Sequence, residues 1–243
     1  MSYIFNTFFY NPLYNALVGI IDLVPHQDAG VGVVLLTILV SVLLFGVSKK
    51  AIRTQIKLKE IEPEIKRIKE NYKDKKEEQA RLMIDLYKKH SINPFSLIFF
   101  VLIQIPILIA LYYIFWKGGL PMIKTDILYS FVPVPQNVSM NFLGILDITQ
   151  KSIVLAVISG ITQFIQAYVA TPNLKTPEKD PKDRTFGDDF QKSLHMQMKY
   201  VFPVVIGVIG ATLPAALPLY WSTRNIFMTV QEIFVKRSIK KSK

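Results

Sequence analysis

An arginine stands inside a stretch that is otherwise apolar enough to cross a bilayer. Pro214–Val235 reads PAALPLYWSTRNIFMTVQEIFV, with Ser222, Thr223, Arg224 and Asn225 near its middle. On insertion scales an arginine at mid-membrane costs roughly 2.5–3.5 kcal/mol, so it is tolerated where it faces protein or a water-filled cavity. Tyr220 or Trp221, Arg224, Met228 and Gln231 recur at steps of three or four and therefore share one helical face. Polar groups recur in other apolar runs: Thr37, Ser41 and Ser48 on one face, Gln104 alone, and Ser159, Thr162 or Gln163, and Gln166 on another. Amides in a span are costly unless hydrogen-bonded or wet. The chemistry these types offer is capture of a polar or acidic chain by hydrogen bonds and positive charge, with no bond made or broken.

Other chemistries lack their residues. The chain has no cysteine, which excludes a disulfide and a thiolate metal site, and His26, His90 and His195 stand far apart without ligand spacing. No apolar run contains Asp, and Glu232 lies eight residues from Arg224, about 12 Å along a helix. A proton-coupled transporter would need intramembrane Asp, Glu or His. Neither a P-loop, an HExxH nor a Ser/His/Asp set is present. The reading is a non-enzymatic device without cofactor or metal. A channel or small-solute transporter using the same polar stripes is the competing reading; many transporters carry related halves, and no internal repeat is visible here.

The elements that must position these residues follow from hydropathy. Half of the 243 residues are hydrophobic, in runs of about 20 that predict transmembrane helices, and no series of alternating ten-residue segments suggests a barrel. Residues 1–29 contain no Lys or Arg and carry Ile4, Phe5, Phe8, Phe9 and Tyr10 ahead of Asn11-Pro12. They predict an interfacial amphipathic helix, a weak uncleaved span being the alternative. Spans are predicted at 30–47, 94–116, 151–170, 196–213 and 214–235, the second ending in the aromatic belt of Tyr112, Tyr113 and Trp116. In the fourth, Pro203 predicts a kink and Gly207 with Ala211 a close helix contact.

Between the first two spans, residues 48–93 hold 14 Lys/Arg and 8 Asp/Glu. Leu58, Ile61, Ile65, Ile68 and Tyr72 step 3, 4, 3, 4, and Ala80, Met83 and Tyr87 step 3, 4, around a polar turn at Asn71–Lys76. This predicts an antiparallel helical hairpin outside the membrane, its basic face either turned to anionic lipid or RNA or simply solvated. Residues 117–150 read as a loop with a short interfacial segment, 171–195 as a polar loop, and 236–243 as a basic tail. Placing the hairpin, the 171–199 segment and the tail on one side gathers 25 of the 29 Lys/Arg there. By the positive-inside bias that side is cytoplasmic, which leaves the N-terminus and 117–150 outside. The predicted fold is an all-α polytopic membrane protein: five transmembrane helices around a hydrophilic groove, with a cytoplasmic helical hairpin.

Several segments together resemble the YidC/Oxa/Alb family of membrane protein insertases over nearly the whole chain. They are VVLLTILV (33–40), EIEPEIKRIKENYKD (60–74), LYKKHSINPF (86–95), LIQIPILIALYYIF (102–115) and MKYVFPVV with LPLYWSTRNIF (198–227). The resemblance implies a compact five-span insertase of the bacterial cell membrane. It would accept nascent membrane proteins, alone or beside the Sec translocon, in a groove open to cytoplasm and lipid. The hairpin would aid client capture, and the tail residues Lys236, Arg237, Lys240, Lys241 and Lys243 would contact ribosomes or anionic lipids. The groove residues would be Arg224, Ser41, Thr37, Gln104, Ser159, Gln163, Gln166, Thr223, Asn225 and Met228. One departure stands out. Many bacterial members carry an arginine in the first span where this chain has Ser41, and a serine in the fifth where it has Arg224. The simplest hypothesis is that the groove's positive charge has moved from one wall to another.

Overall fold

The computed structural model describes residues 3–116, 120–170, 193 and 196–241. The polar loop at 171–195 therefore lies outside the described residues, apart from Ser193. The described chain is almost entirely helical and falls into two compact units, Met1–Val42 with Pro106–Phe234 and Leu43–Ile105 with Val235–Lys243.

The first unit begins with a short helix α1 (Tyr3–Phe5), a π-helical turn (Asn6–Tyr10) and α2 (Asn11–Leu23). Pro12 falls where the π-helical turn passes into α2: Asn11 N donates to Asn6 O, and the proline that follows has no N–H to give the preceding turn. Tyr14, Leu17, Val18 and Ile21 line one face of α2, and all four are completely buried. Amphipathicity was predicted for this segment; its apolar face is turned into the protein, while Tyr3, Ile4, Phe8 and Leu23 are exposed. Helix α3 (Ala29–Leu43) follows. Its N-terminus passes so close to Phe142 that a Cβ on Gly30 would lie 2.6 Å from that side chain, so only glycine fits.

The segment at 120–150 is more ordered than a loop reading suggests. Strands β1 (Asn141–Phe142) and β2 (Leu146–Asp147) form a hairpin with the three-residue connection Leu143-Gly144-Ile145, in which Leu143 and Gly144 have positive φ and Ile145 N donates to Phe142 O. The segment then hands the chain to α8 (Ile153–Ala170) and pairs with the start of α10 (Ala216–Lys241): Ala215 N donates to Gln150 O and Ala216 N to Ile148 O. Ile148 is completely buried there.

A π-helical turn (Gln197–Val201) leads into α9 (Phe202–Thr212). Helices α8 and α9 pack backbone to backbone. A Cβ on Gly160 would come within 3.2 Å of Pro203 O, one on Gly207 within 3.8 Å of the Gly160 Cα, and one on Gly210 within 3.5 Å of the Ala156 Cα. The small-residue contact thus runs through Gly207 and Gly210, whereas sequence spacing suggested Gly207 and Ala211. In hydrocarbon, where apolar burial no longer drives association, such close packing supplies the dispersion contact.

The second unit contains α4 (Phe45–Glu60), α5 (Glu62–Asn71), α6 (Lys76–Lys89) and the start of α7 (Phe95–Trp116). The helix breaks at Ile61, where Pro63 in the first turn of α5 cannot donate to the preceding turn. The hairpin core is Ile61, Leu86 and Ile92, flanked by Leu58, Ile65, Ile68 and Tyr87. The α4–α5 seam is the one read from the heptad; on α6 the buried residue is Leu86. The connection after α6 turns on Ser91, at positive φ, with Lys57 Nζ donating to the carbonyls of His90 (3.2 Å) and Ser91 (3.4 Å). Ser96 Oγ donates to Thr54 Oγ1 at 2.8 Å and ties the base of α7 to α4.

By length and composition, Phe95–Phe115 and Ile153–Ala170 are each able to cross a membrane, and Ala29–Leu43 with Phe45–Glu60 makes a third span if the broken pair counts as one. The predicted span at 196–213 is the shorter apolar helix pair Gln197–Thr212. That at 214–235 is the first part of α10, a single helix that carries on through Lys236 and Arg237 of the basic tail.

Candidate functional site

The polar side chains of the apolar helices divide into two groups. Hydroxyls fold back on their own helices. Thr37 Oγ1 donates to Val33 O, Ser41 Oγ to Thr37 O, Ser159 Oγ to Ala156 O, and Thr223 Oγ1 to Leu219 O, all at 2.6–2.9 Å. This back-bonding satisfies a hydroxyl donor without water or a neighbour, which is why serine and threonine are cheap in such helices. Thr37 is 3% exposed and Ser159 is fully buried, with its Oγ 3.3 Å from where a Gly210 Cβ would stand. Both serve helix packing. Ser41 and Thr223 are half-buried.

The amides behave differently. Asn225 Nδ2 on α10 reaches Thr162 Oγ1 on α8 at 3.4 Å, and Gln163 Nε2 meets Gln166 Oε1 at 3.4 Å. Each contact is long and uses one of the several hydrogen-bonding positions an amide offers. Asn225 is buried, whereas Gln163 and Gln166 are half-buried. Arg224 is half-buried next to Asn225 on α10, and Tyr220 and Met228, one turn to either side, are both buried. The structure therefore joins the α8 and α10 stripes directly through Thr162 and Asn225. Gln104, half-buried on α7, belongs to the other unit.

Sequence spacing did not single out a second polar network at the 120–150 end of the first unit. Asp28, 5% exposed, caps α3: its Oδ1 accepts from Gly30 N (2.7 Å) and Val31 N (3.0 Å). Its Oδ2 accepts from Leu143 N at 2.7 Å, which holds the hairpin turn against the helix. Asn15, 2% exposed, donates to Ile127 O (2.9 Å) and Asn11 O (2.8 Å) and accepts from Tyr129 N (2.6 Å). Tyr14 accepts from Lys124 N at 2.8 Å. One signal was available: an Asp directly before an apolar run marks a helix N-terminus. Nothing local marks Asn15, two of whose three partners, Ile127 and Tyr129, lie more than 110 residues away.

In the second unit, Lys236 lies close enough to Lys59 to act on it. Burial pushes the Lys59 ammonium below its ordinary value; Glu62 opposes this and Lys236 adds to it. Arg237 is exposed. The side chains of Lys240 and Lys241, and all of Lys243, lie outside the described residues.

Helices able to cross a bilayer by length and composition, one of them packed through glycines on α9 and joined to α10 through Asn225, define a polytopic helical membrane protein. Residues 21–242 match the family described as 60Kd inner membrane protein. The chain is 30% identical over 214 residues to membrane protein insertase YidC of Clostridium tetani, covering 88% of this chain and 84% of that one. It is also 30% identical to membrane protein insertase MisCB of Bacillus subtilis, covering 98% and 82%. A YidC of Wolinella succinogenes, 28% identical, spans all of this chain but only 40% of its own length is matched. The chain belongs to this family, the YidC/Oxa/Alb membrane protein insertases, and is a bacterial membrane protein.

Proposed function

We propose that this protein is a membrane protein insertase whose α8 and α10 form the wall that receives the polar segment of a client. It is a binding and translocation device and not an enzyme. Clients are nascent membrane proteins. The observation that carries the wall assignment is the contact of Asn225 with Thr162, with Arg224 half-buried beside it and Gln163 and Gln166 on the facing helix. A guanidinium, and amides whose own contacts are long, in surroundings of low dielectric, lower the cost of bringing an acidic or polar segment part-way across.

The proposed topology has five spans, with the N-terminus and 120–150 outside and the hairpin and C-terminus cytoplasmic. It is supported by the gathering of 25 of 29 Lys/Arg on one side. The hairpin would take part in client capture, and the tail from Lys236 would meet ribosomes or anionic lipid, with Sec cooperation optional. The deciding test is reconstitution in liposomes with a short single-span client bearing an acidic outside segment. Protection of that segment from external protease should fall in Arg224→Ala while thermal stability holds. Normal insertion by a folded Arg224→Ala protein would remove the wall assignment.

A further inference from the structure

We infer that the first unit holds the acyl chain of a single membrane phospholipid in a cleft between α2, α3 and the segment Tyr129–Pro133. The cleft has a volume of about 480 Å³ and lies along α2 from Pro12 to Leu23, with Leu39 of α3 and Phe131 and Val132 forming the other walls. Its concavity comes from small residues: Ala16 and Gly19 on α2, where a Cβ on Gly19 would meet nothing nearer than Val132 at 3.9 Å.

Three observations select a hydrocarbon chain. The wall makes no polar demand, because Asn15, the one amide lining it, already spends its bonds on Asn11, Ile127 and Tyr129. An apolar space of this kind does not hold water well. The mouth opens on bilayer-facing surface, since Leu39 continues an exposed stripe with Leu35 and Val42 on α3. Leu39 is ten residues from Ala29, so it stands about 15 Å from the start of α3, roughly half the thickness of a hydrocarbon core. The third observation is width. Spread over the eleven residue steps from Pro12 to Leu23, about 16 Å, the volume, which is the space open to the centres of water molecules of about 1.4 Å radius, gives a channel about 9 Å from wall to wall. A helix with its side chains needs 10–12 Å. The cleft therefore admits an acyl chain and excludes a client's transmembrane helix, which separates this site from the α8–α10 wall.

The test is photolabelling of the full chain in vesicles of phosphatidylethanolamine and phosphatidylglycerol. A trace of phosphatidylcholine carries a diazirine midway along one acyl chain, and labelled peptides are read by mass spectrometry. Labelling of 12–23 and 129–133 should outlast a chase with unlabelled vesicles, whereas labelling of the exposed residues Val157 and Ile161 on α8 should exchange away. Gly19→Leu has room for its side chain and raises helix propensity. It should cut cleft labelling at least fivefold and leave Val157 and Ile161 unchanged. Leu39→Ala, which widens the mouth, should raise cleft labelling and serves should Gly19→Leu not fold. Cleft labelling that exchanges as fast as that of Val157, or that neither folded variant alters, overturns the inference. So does occupation of the cleft by a second copy of the chain, seen as concentration-dependent crosslinking that excludes the lipid.

Discussion

The first unit contains two polar networks built on opposite plans. At the 120–150 end, Asp28 and Asn15 are almost wholly buried, and every bond they make is 2.6–3.0 Å long and directed to backbone. On α8, and from α10 to α8, the amide contacts are 3.4 Å, side chain to side chain, and a half-buried arginine sits beside the one that joins the two helices. A short bond to backbone fixes a fold, because its removal strands a buried partner. A long amide contact gives way to a competing ligand at little cost. On the proposed function, the difference separates the part of the molecule that holds the fold from the part that would exchange protein contacts for client contacts.

That contrast is broken most severely at Asp28. Asp28→Ala leaves three N–H groups without their partner, that of Gly30 buried and those of Val31 and Leu143 partly so, and should cost about 3 kcal/mol, from the 1.5–3 kcal/mol typical of a bond to a charged group. Thermal unfolding in detergent should show it as a large drop in midpoint, and a drop no greater than that of an exposed control would sink the anchoring role. Asn15→Leu should follow, at about 2 kcal/mol, because the Ile127 carbonyl and the Tyr129 N–H lose their partner.

The α8–α10 network should respond in the opposite sense. Arg224→Ala should leave unfolding nearly unchanged and reduce insertion of acidic clients about tenfold, equivalent to 1.4 kcal/mol. Arg224→Lys should retain most activity if charge alone matters. Starting from Arg224→Ser, Ser41→Arg should restore part of the activity by returning charge to α3; a folded double variant without rescue ends the relocation hypothesis. Asn225→Ala should cost less than 1 kcal/mol of stability, since a 3.4 Å contact is a weak bond. A loss as large as that of Asn15→Leu would erase the distinction between the networks.

The smallest effect belongs to the charged tail. Ribosome or anionic-vesicle binding through Lys236, Arg237, Lys240, Lys241 and Lys243 should weaken as salt rises, because exposed charges are screened within about 8 Å at physiological ionic strength. Co-sedimentation indifferent to both salt and removal of the tail would refute that contact.

Hydropathy and periodicity determined a good deal. Five apolar runs, a charged hairpin with its seam at Ile61, Ile65 and Ile68, and an arginine inside an apolar helix are legible in the order of residue types. Local chemistry is enough there, because a helix repeats every 3.6 residues and its faces are set by spacing alone. Spacing could not say which polar groups were already satisfied. Ser159 and Gln163 share a stripe, yet one is sealed against Gly210 and the other is half-buried beside Gln166. Nor could it find Asn15, whose hydrogen-bond partners are backbone atoms at Ile127 and Tyr129. Burial and hydrogen-bond satisfaction are properties of what comes together across more than a hundred residues, and only the tertiary structure decided them.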